Sequence, residues 1–498
     1  MLEHLIGAIP GVLSGPSIIA MVVGTAVGIL VGALPGVTAA MAVAILLPIT
    51  FTMAPLVALG AMAGIYSGAM YGGAIPAILL RIPGTPAAVA TTFDGYAMAR
   101  KGEAGTALQL SAYSSAIGGI VSALALILLA PPLANVALAF GPPEMFWIGI
   151  FGLASLALLL GEDILKGVIS ALIGLFLAII GADKLNGYER FTFDLLDLNG
   201  GLDIGVVLIG LFAFPPTFQL AEDLARGGSI MGFPVIRSGI GLWECCRRYW
   251  FTLVQSSVIG IIIGILPGAG GNVASILAYN EAKRTSKDPE TYGQGNPAGV
   301  VASECANNAD SGGSMIPALT LGVPGGLVAA LIMGALIIQG LQPGPQLFRD
   351  RPEIVYGFML QFLLTSILIF PLGGLVASRI FARVLYIPPS LLMPLIVATT
   401  VVGVYSINNS TFDLIVLFLF GILGYGMEKL NIPLAPASLG LILGPMIEAN
   451  LRISLLLSQN NPSIFFTRWV SIAIIAVIVA MVAMPFFGKR KKSTDQQA

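Results

Sequence analysis

The sequence predicts an all-α polytopic membrane protein: two inverted-topology repeats, each with a re-entrant hairpin and a broken helix, plus one extra C-terminal helix. Three observations point there. Apolar runs of spanning length recur from end to end, a set of Gly-Pro motifs occurs twice in the same order, and corresponding loops carry opposite amounts of basic charge.

The apolar runs come first. Of 498 residues, 56% are hydrophobic and 10% charged, and mean hydropathy is +0.93. A soluble domain carries roughly 25% charged residues. A membrane helix needs about 20 apolar residues, and 107–130, 144–160, 164–182, 203–218, 355–377, 412–426 and 468–487 supply them. The net charge is −1 and the basic residues are scattered through loops, which excludes nucleic acid as a partner and leaves the lipid bilayer. Three cysteines (Cys245, Cys246, Cys305) and a single histidine (His4) have no metal-ligand spacing. Walker A and HExxH motifs are absent, as is any nucleophile paired with a histidine, and GAGG at Gly268–Gly271 is too short for a dinucleotide fingerprint. The chain is not read as an enzyme. Met1-Leu2-Glu3-His4 lacks the basic start of a cleaved signal peptide, so the first apolar segments are expected to remain.

The repeat comes second. GALPG at Gly32–Gly36 returns as GILPG at Gly264–Gly268, an offset of 232. GGAIPAILLRIPG (Gly72–Gly84) returns as GGSMIPALTLGVPG (Gly312–Gly325), with Pro76 and Pro83 matched by Pro317 and Pro324 at an offset of 241. Pro142-Pro143 and Pro388-Pro389 follow at 246. The growth from 232 to 241 reflects a polar insertion, Glu281–Asn296, expected as a solvated loop. The organisation expected is a first repeat over 1–225, a cytoplasmic joint over 226–250, a second repeat over 251–460, and a C-terminal helix with a basic tail over 461–498.

Charge orients the halves. Lys489-Arg490-Lys491-Lys492, the joint with Arg226, Arg237, Arg247 and Arg248, and the pairs Arg100-Lys101 and Lys283-Arg284 are expected in the cytoplasm. Loops at matching places in the other half, 131–143 and 50–55, have no basic residue. Arg349-Asp350-Arg351 is the exception. Five crossings per half, an odd number, fit inversion. The segments 17–50 and 251–280, broken by Gly and Pro between arms read as too short to span, are expected to be re-entrant hairpins.

Irregular backbone at membrane depth is tolerated where it lines a polar cavity, so the breaks are the candidate site. The first tip contributes Gly32, Pro35, Gly36 and Thr38; the second contributes Pro267, Gly268, Gly270, Gly271 and Asn272. The helix breaks contribute Pro83, Gly84 and Thr85, then Pro324, Gly325 and Gly326. Pro and Gly there expose peptide groups, and helix N-termini favour a carboxylate; packing of small residues is the competing reading. Arg81 is either a bidentate partner for a substrate carboxylate or a snorkelling, internally paired arginine. Asn307, Asn308, Asp310, Ser311 and Ser314 form a polar run beside the second break, with Glu304 nearby. They are candidates for the coupling ion, with Asp310 alternatively at a wet helix end. Asp94 and Arg100 read as loop structure and topology signals.

GALPGVTAAMAVAILLPITF (32–51), YGGAIPAILLRIPGTPAAVATTFDGYAMARKGEAGTAL (71–108), GILPGAGG (264–271) and ECANNADSGGSMIPALTLGVPG (304–325) resemble the large membrane subunit of the tripartite tricarboxylate transporters, the TctA family. The resemblance implies a large permease of a three-part secondary active system; a bacterial inner membrane is the expected location, and the basic run at 489–492 puts the C-terminus on its cytoplasmic side. Its partners would be a small membrane subunit of the TctB type and a periplasmic solute-binding protein of the TctC type. The substrate would be an organic carboxylate such as citrate, moved with Na+ or H+ and no other cofactor. A carboxylate-selective channel or uncoupled facilitator is the alternative.

Overall fold

A computed structural model describes residues 1–34, 38–81, 83–159, 164–183, 187–225, 240–268, 270–377 and 408–488, with 394, 397, 398, 400–402, 404 and 405. Backbone groups in hydrocarbon find partners only inside their own segment, so apolar runs of this length fold as helices. They are α1 (Leu2–Val12), α2 (Gly15–Gly32), α3 (Ala39–Thr50), α4 (Pro55–Gly72), α5 (Ala74–Leu80), α6 (Thr91–Arg100), α7 (Ala104–Ala137), α8 (Pro142–Leu159), α9 (Ile164–Ala178) and α10 (Ile204–Ala225) in the first half. The second half holds α11 (Leu242–Ile265), α12 (Gly270–Thr285), α13 (Pro297–Leu321), α14 (Leu327–Ile338), α15 (Pro345–Asp350), α16 (Pro352–Ile369), α17 (Thr411–Lys429), α18 (Leu434–Leu457), α19 (Ile464–Thr467) and α20 (Trp469–Gly488). Among the described residues, seven stretches are long and apolar enough to cross a membrane: α2, α4 with α5, α7, α11, α16 continued to Gly374, α17 and α18. The protein is a multi-pass membrane protein.

Two details differ from the sequence reading. The first arm of each Gly-Pro segment is long: α2 has 18 residues, and α11 has 24 because the helix begins nine residues before the apolar run, at Leu242, and bends at Tyr249. Only the return arms α3 and α12, with 12 and 16 residues, are short. The polar insertion also begins as helix, since α12 continues to Thr285 before the loop starts. The joint residues 226–239, Pro388-Pro389 and the basic tail from Lys489 lie outside the described residues.

The chain forms two compact bodies that cut across the sequence halves: Met1–Ala134 with Gly205–Gly426, and Asn135–Ile204 with Met427–Ala498. In the smaller body α9 packs on α18, and Arg452 ties the Asp183 carboxylate (2.6 Å) to Glu448 (2.8 Å), which also binds Arg190 at 2.7 Å. In the larger body α10 packs on α17, where a Cβ at Gly210 would lie 2.8 Å from the Leu417 carbonyl oxygen. Since α9 and α10 belong to the first half and α17 and α18 to the second, each pair joins one helix from each half.

The core of the larger body is a glycine-lined contact made twice. Gly24, Gly28 and Gly32 of α2 lie against the carbonyls of Ala61, Ile65 and Ala69, and Gly72 of α4 lies against Ile29, so close that a Cβ on Gly28 or Gly72 would sit 2.5 Å from the oxygen. In the second half Gly260 and Gly264 of α11 meet the carbonyls of Ala306 and Asp310, and Gly313 meets Ile261, at 2.5, 2.6 and 2.7 Å. The α11 residues stand 232 after Gly28, Gly32 and Ile29; those of α13 stand 241 after Ile65, Ala69 and Gly72. Both sequence offsets therefore recur as three-dimensional contacts. The rising pairs also show that α2 runs parallel to α4, and α11 to α13. Gly32 is level with Ala69, eleven residues before Leu80, or about 16 Å at 1.5 Å per residue.

Candidate functional site

Each Gly-Pro break is a reversal held by backbone hydrogen bonds. α5 ends at Arg81 in the left-handed conformation (φ 62°), and α13 ends at Gly322 with φ 70°, exactly 241 positions later by number. Past these residues the chain folds back: Gly84 N–H donates to the Gly73 carbonyl at 3.1 Å, and Gly325 N–H donates to the Ser314 carbonyl at 3.2 Å. The second tip docks on its break, with Gly268 N–H (φ 86°) donating to the Gly325 carbonyl at 2.8 Å. In the first half, a Cβ on Gly84 would sit 2.5 Å from the Gly32 oxygen. The amides of Gly84, Gly268 and Gly325 are therefore engaged inside the protein and are not offered to a solute. Pro35 and Gly36 lie outside the described residues. Thr38 caps α3, its hydroxyl accepting from Met41 N–H at 3.1 Å.

The two halves meet across α4 and α13. Tyr66 Oη lies 3.2 Å from Ser314 Oγ, Asn308 Nδ2 donates to the Ser67 carbonyl (3.3 Å), and Asn307 Nδ2 donates to the Met70 carbonyl (3.1 Å). Numbers rise on one helix as they fall on the other, so these counterpart helices run antiparallel. Gly271, at the second tip, completes the enclosure: a Cβ there would sit 2.8 Å from Asn307 Oδ1, 2.9 Å from Met70 and 3.3 Å from Ala87, which follows the first break. Tip, break and both central helices thus converge around Asn307.

The site is rich in oxygens without partners. Asn307 Oδ1, Asn308 Oδ1, Asp310 Oδ1, Ser311 Oγ and, after the first break, Thr85 Oγ1 are buried with no hydrogen bond. An unmatched buried polar atom costs about 1–3 kcal/mol, so five in one region is a large deficit for packing alone. Oxygens from a carboxylate, amides and hydroxyls are the ligand set of hard cations. Asp310 is buried within α13 rather than at a wet helix end.

The TctA family, described as the tripartite tricarboxylate transporter TctA family, matches residues 18–439. The chain belongs to this family of membrane transporters. An uncharacterized 52.8 kDa protein in the TAR-I ttuC′ 3′ region of Agrobacterium vitis is 38% identical over 461 residues, 91% of this chain and 90% of the relative. An uncharacterized protein in the TAR-II ttuC′ 3′ region of the same organism is 36% identical over 241 residues, 48% of this chain and 98% of the relative. No solved structure matches.

Other candidates of this TctA-family chain are placed differently. Arg81 is exposed, its guanidinium 5.9 Å from the Tyr96 ring centroid, so it is stacked internally and is not among the buried oxygens. Asn272 is exposed on the second tip, whereas Pro267, Pro324 and Gly326 are buried. Gly270 takes φ 63° to open α12. Asp94 is a clamp: its Oδ1 accepts from the N–H groups of Gly293 (2.8 Å), Gly295 (2.7 Å) and Asn296 (2.8 Å), and its Oδ2 from Tyr279 Oη (2.9 Å). It fixes the polar loop to α6, a role within the loop-structure reading. Tyr66 was not singled out from the sequence, yet it stands 241 residues before Asn307, a signal present in the repeat itself.

Proposed function

We propose that this chain is the large permease of a three-part, binding-protein-dependent secondary transporter. It imports a di- or tricarboxylate across the bacterial inner membrane together with Na+ or H+. A small membrane subunit of the TctB type and a periplasmic solute-binding protein of the TctC type complete the system. The observation that carries the reading is the convergence of the second tip, the segment after the first break and the two central helices on a cluster of buried, unpartnered oxygens. An oxygen cluster of this composition suits the coupling cation. The first-turn amides of α12 at Gly270–Asn272, and of α14 after Gly326, suit the carboxylate, because the N–H groups opening a helix have no partner within it.

The antiparallel crossing of α4 and α13, and the end of α2 about 16 Å short of the end of α5, support inverted repeats with re-entrant tips. Arg81 and Asn272, both exposed, are the candidates for first contact with the solute. Uptake of labelled di- and tricarboxylates into cells expressing the three components, with sodium and pH gradients set independently, tests the proposal. Gradient-dependent accumulation is expected. Equilibration that ignores both gradients would replace it with a channel or uncoupled facilitator.

A further inference from the structure

Among the described residues, the carboxylate of Glu304 in the larger body is buried with no cation beside it, no backbone N–H to hold it and no place in the oxygen cluster. Glu304 is fully enclosed on α13, six residues before Asp310, or about 9 Å along the helix. Its Oε1 accepts from Thr91 Oγ1 at the start of α6, and its Oε2 accepts from Ser115 Oγ of α7 at 3.1 Å. Ser111, one turn earlier on α7, lies beside the same group with its buried hydroxyl free of any hydrogen bond. Basic residues on the helices packed around α13 (Arg100, Arg247, Arg248, Lys283, Arg284 and Arg349) are all exposed, and α4, α7 and α14 have none. The other titratable groups on these helices are neutral or acidic: Tyr66 and Tyr71 of α4, Asp94 and Tyr96 of α6, Tyr113 of α7, Glu244, Cys245, Cys246 and Tyr249 of α11, Tyr279 and Glu281 of α12, Cys305 and Asp310 of α13, and Asp350 of α15. Among the described residues, Glu304 thus has hydroxyl partners only.

An ionised carboxylate with no counter-charge costs several kcal/mol in such surroundings, and a proton or a metal ion relieves it. Hard metal cations take six or so oxygens, and three hydroxyls fall short. A protonated carboxyl, with one donor and spare acceptor sites, matches a cage of hydroxyls that both give and receive. The scaffold does not require the group: the corresponding residue in the first half, 241 earlier, is Ala63, buried in the same way on α4. We infer that Glu304, caged by Thr91, Ser111 and Ser115, is a proton-binding site distinct from the oxygen cluster, and that it carries proton coupling. The coupling role rests on the proposed transport, whereas the protonation does not.

Infrared difference titration of the purified full-length protein separates the two, because it needs no substrate. A protonated-carboxyl C=O band should vanish as pH rises, be missing in Glu304→Gln, and persist in Asp310→Asn. Identical titrations for wild type and Glu304→Gln, or a band that no pH removes, would overturn the inference. If Glu304→Gln does not fold, Thr91→Val serves: loss of one cage hydroxyl must move the midpoint of the band, and an unmoved midpoint also overturns it. Absence of carboxylate uptake by wild type would count against the transport proposal and leave the titration result standing.

Discussion

Gly325 and Gly326 are neighbours in sequence with opposite surroundings, which makes them a controlled test of how the second break is built. A Cβ on Gly325 would overlap the Gly264 carbonyl oxygen and lie 2.7 Å from Ser314 Cα and 2.9 Å from Ser314 Cβ. Two of these three atoms are backbone, which cannot rotate away. Around Gly326 nothing lies within 4 Å of the corresponding point. Overpacking typically costs 1–3 kcal/mol. Displacing Gly325 also loosens its N–H bond to Ser314 and its carbonyl bond from Gly268, each about 1 kcal/mol. Gly325→Ala should therefore destabilise by about 3–5 kcal/mol, a change of roughly a hundredfold to a few thousandfold in the unfolding equilibrium. Gly326→Ala should cost no more than about 1 kcal/mol, since it only exchanges a fair helix cap for a poor one. Equilibrium unfolding of the two purified variants in mixed micelles provides the comparison. Equal stability would refute the claim that the tip and break are held in backbone contact.

Other expectations are independent of that contact. Asp94→Ala leaves three backbone N–H groups of the 293–296 loop without their acceptor, so limited proteolysis should cut at Lys287 or Arg284 at least tenfold faster than in wild type; unchanged cutting would mean the clamp is dispensable. Asp310→Asn should alter the sodium and pH dependence of uptake while leaving the protein in the membrane, and a wild-type cation response would exclude Asp310 from coupling. Arg81→Gly removes a non-glycine residue from φ 62°, a strain of about 1–2 kcal/mol, against a surface stacking contact worth about 0.5–1 kcal/mol. Higher thermal stability of that variant is expected, and lower stability would show that the stacking outweighs the strain.

Much of this architecture is written locally in the chain. Spanning helices follow from composition, because an apolar run of about 20 residues has no other way to satisfy its backbone in lipid. The duplication and its offsets of 232 and 241 were legible because glycine is needed wherever two helices touch backbone to backbone, and those glycines recur in register. The positions of the breaks follow from Pro and Gly, whose backbone chemistry acts on the spot.

Only the tertiary structure decided which groups remained available. Proline and glycine at a break announce exposed amides, yet those of Gly84, Gly268 and Gly325 are taken by carbonyls brought close by the fold. Arg81 stands in an apolar stretch of the sequence but is exposed at the C-cap of α5, where its left-handed conformation reverses the chain. Asp94 and Glu304 are both carboxylates beside polar loops or runs, and their different fates depend on partners roughly 190 to 210 residues away in sequence, backbone N–H groups for one and hydroxyls for the other. The partition into two bodies was equally hidden, since each draws helices from both halves. Periodicity and residue type are short-range properties, whereas a buried atom's partner is set by whichever segment the fold lays against it.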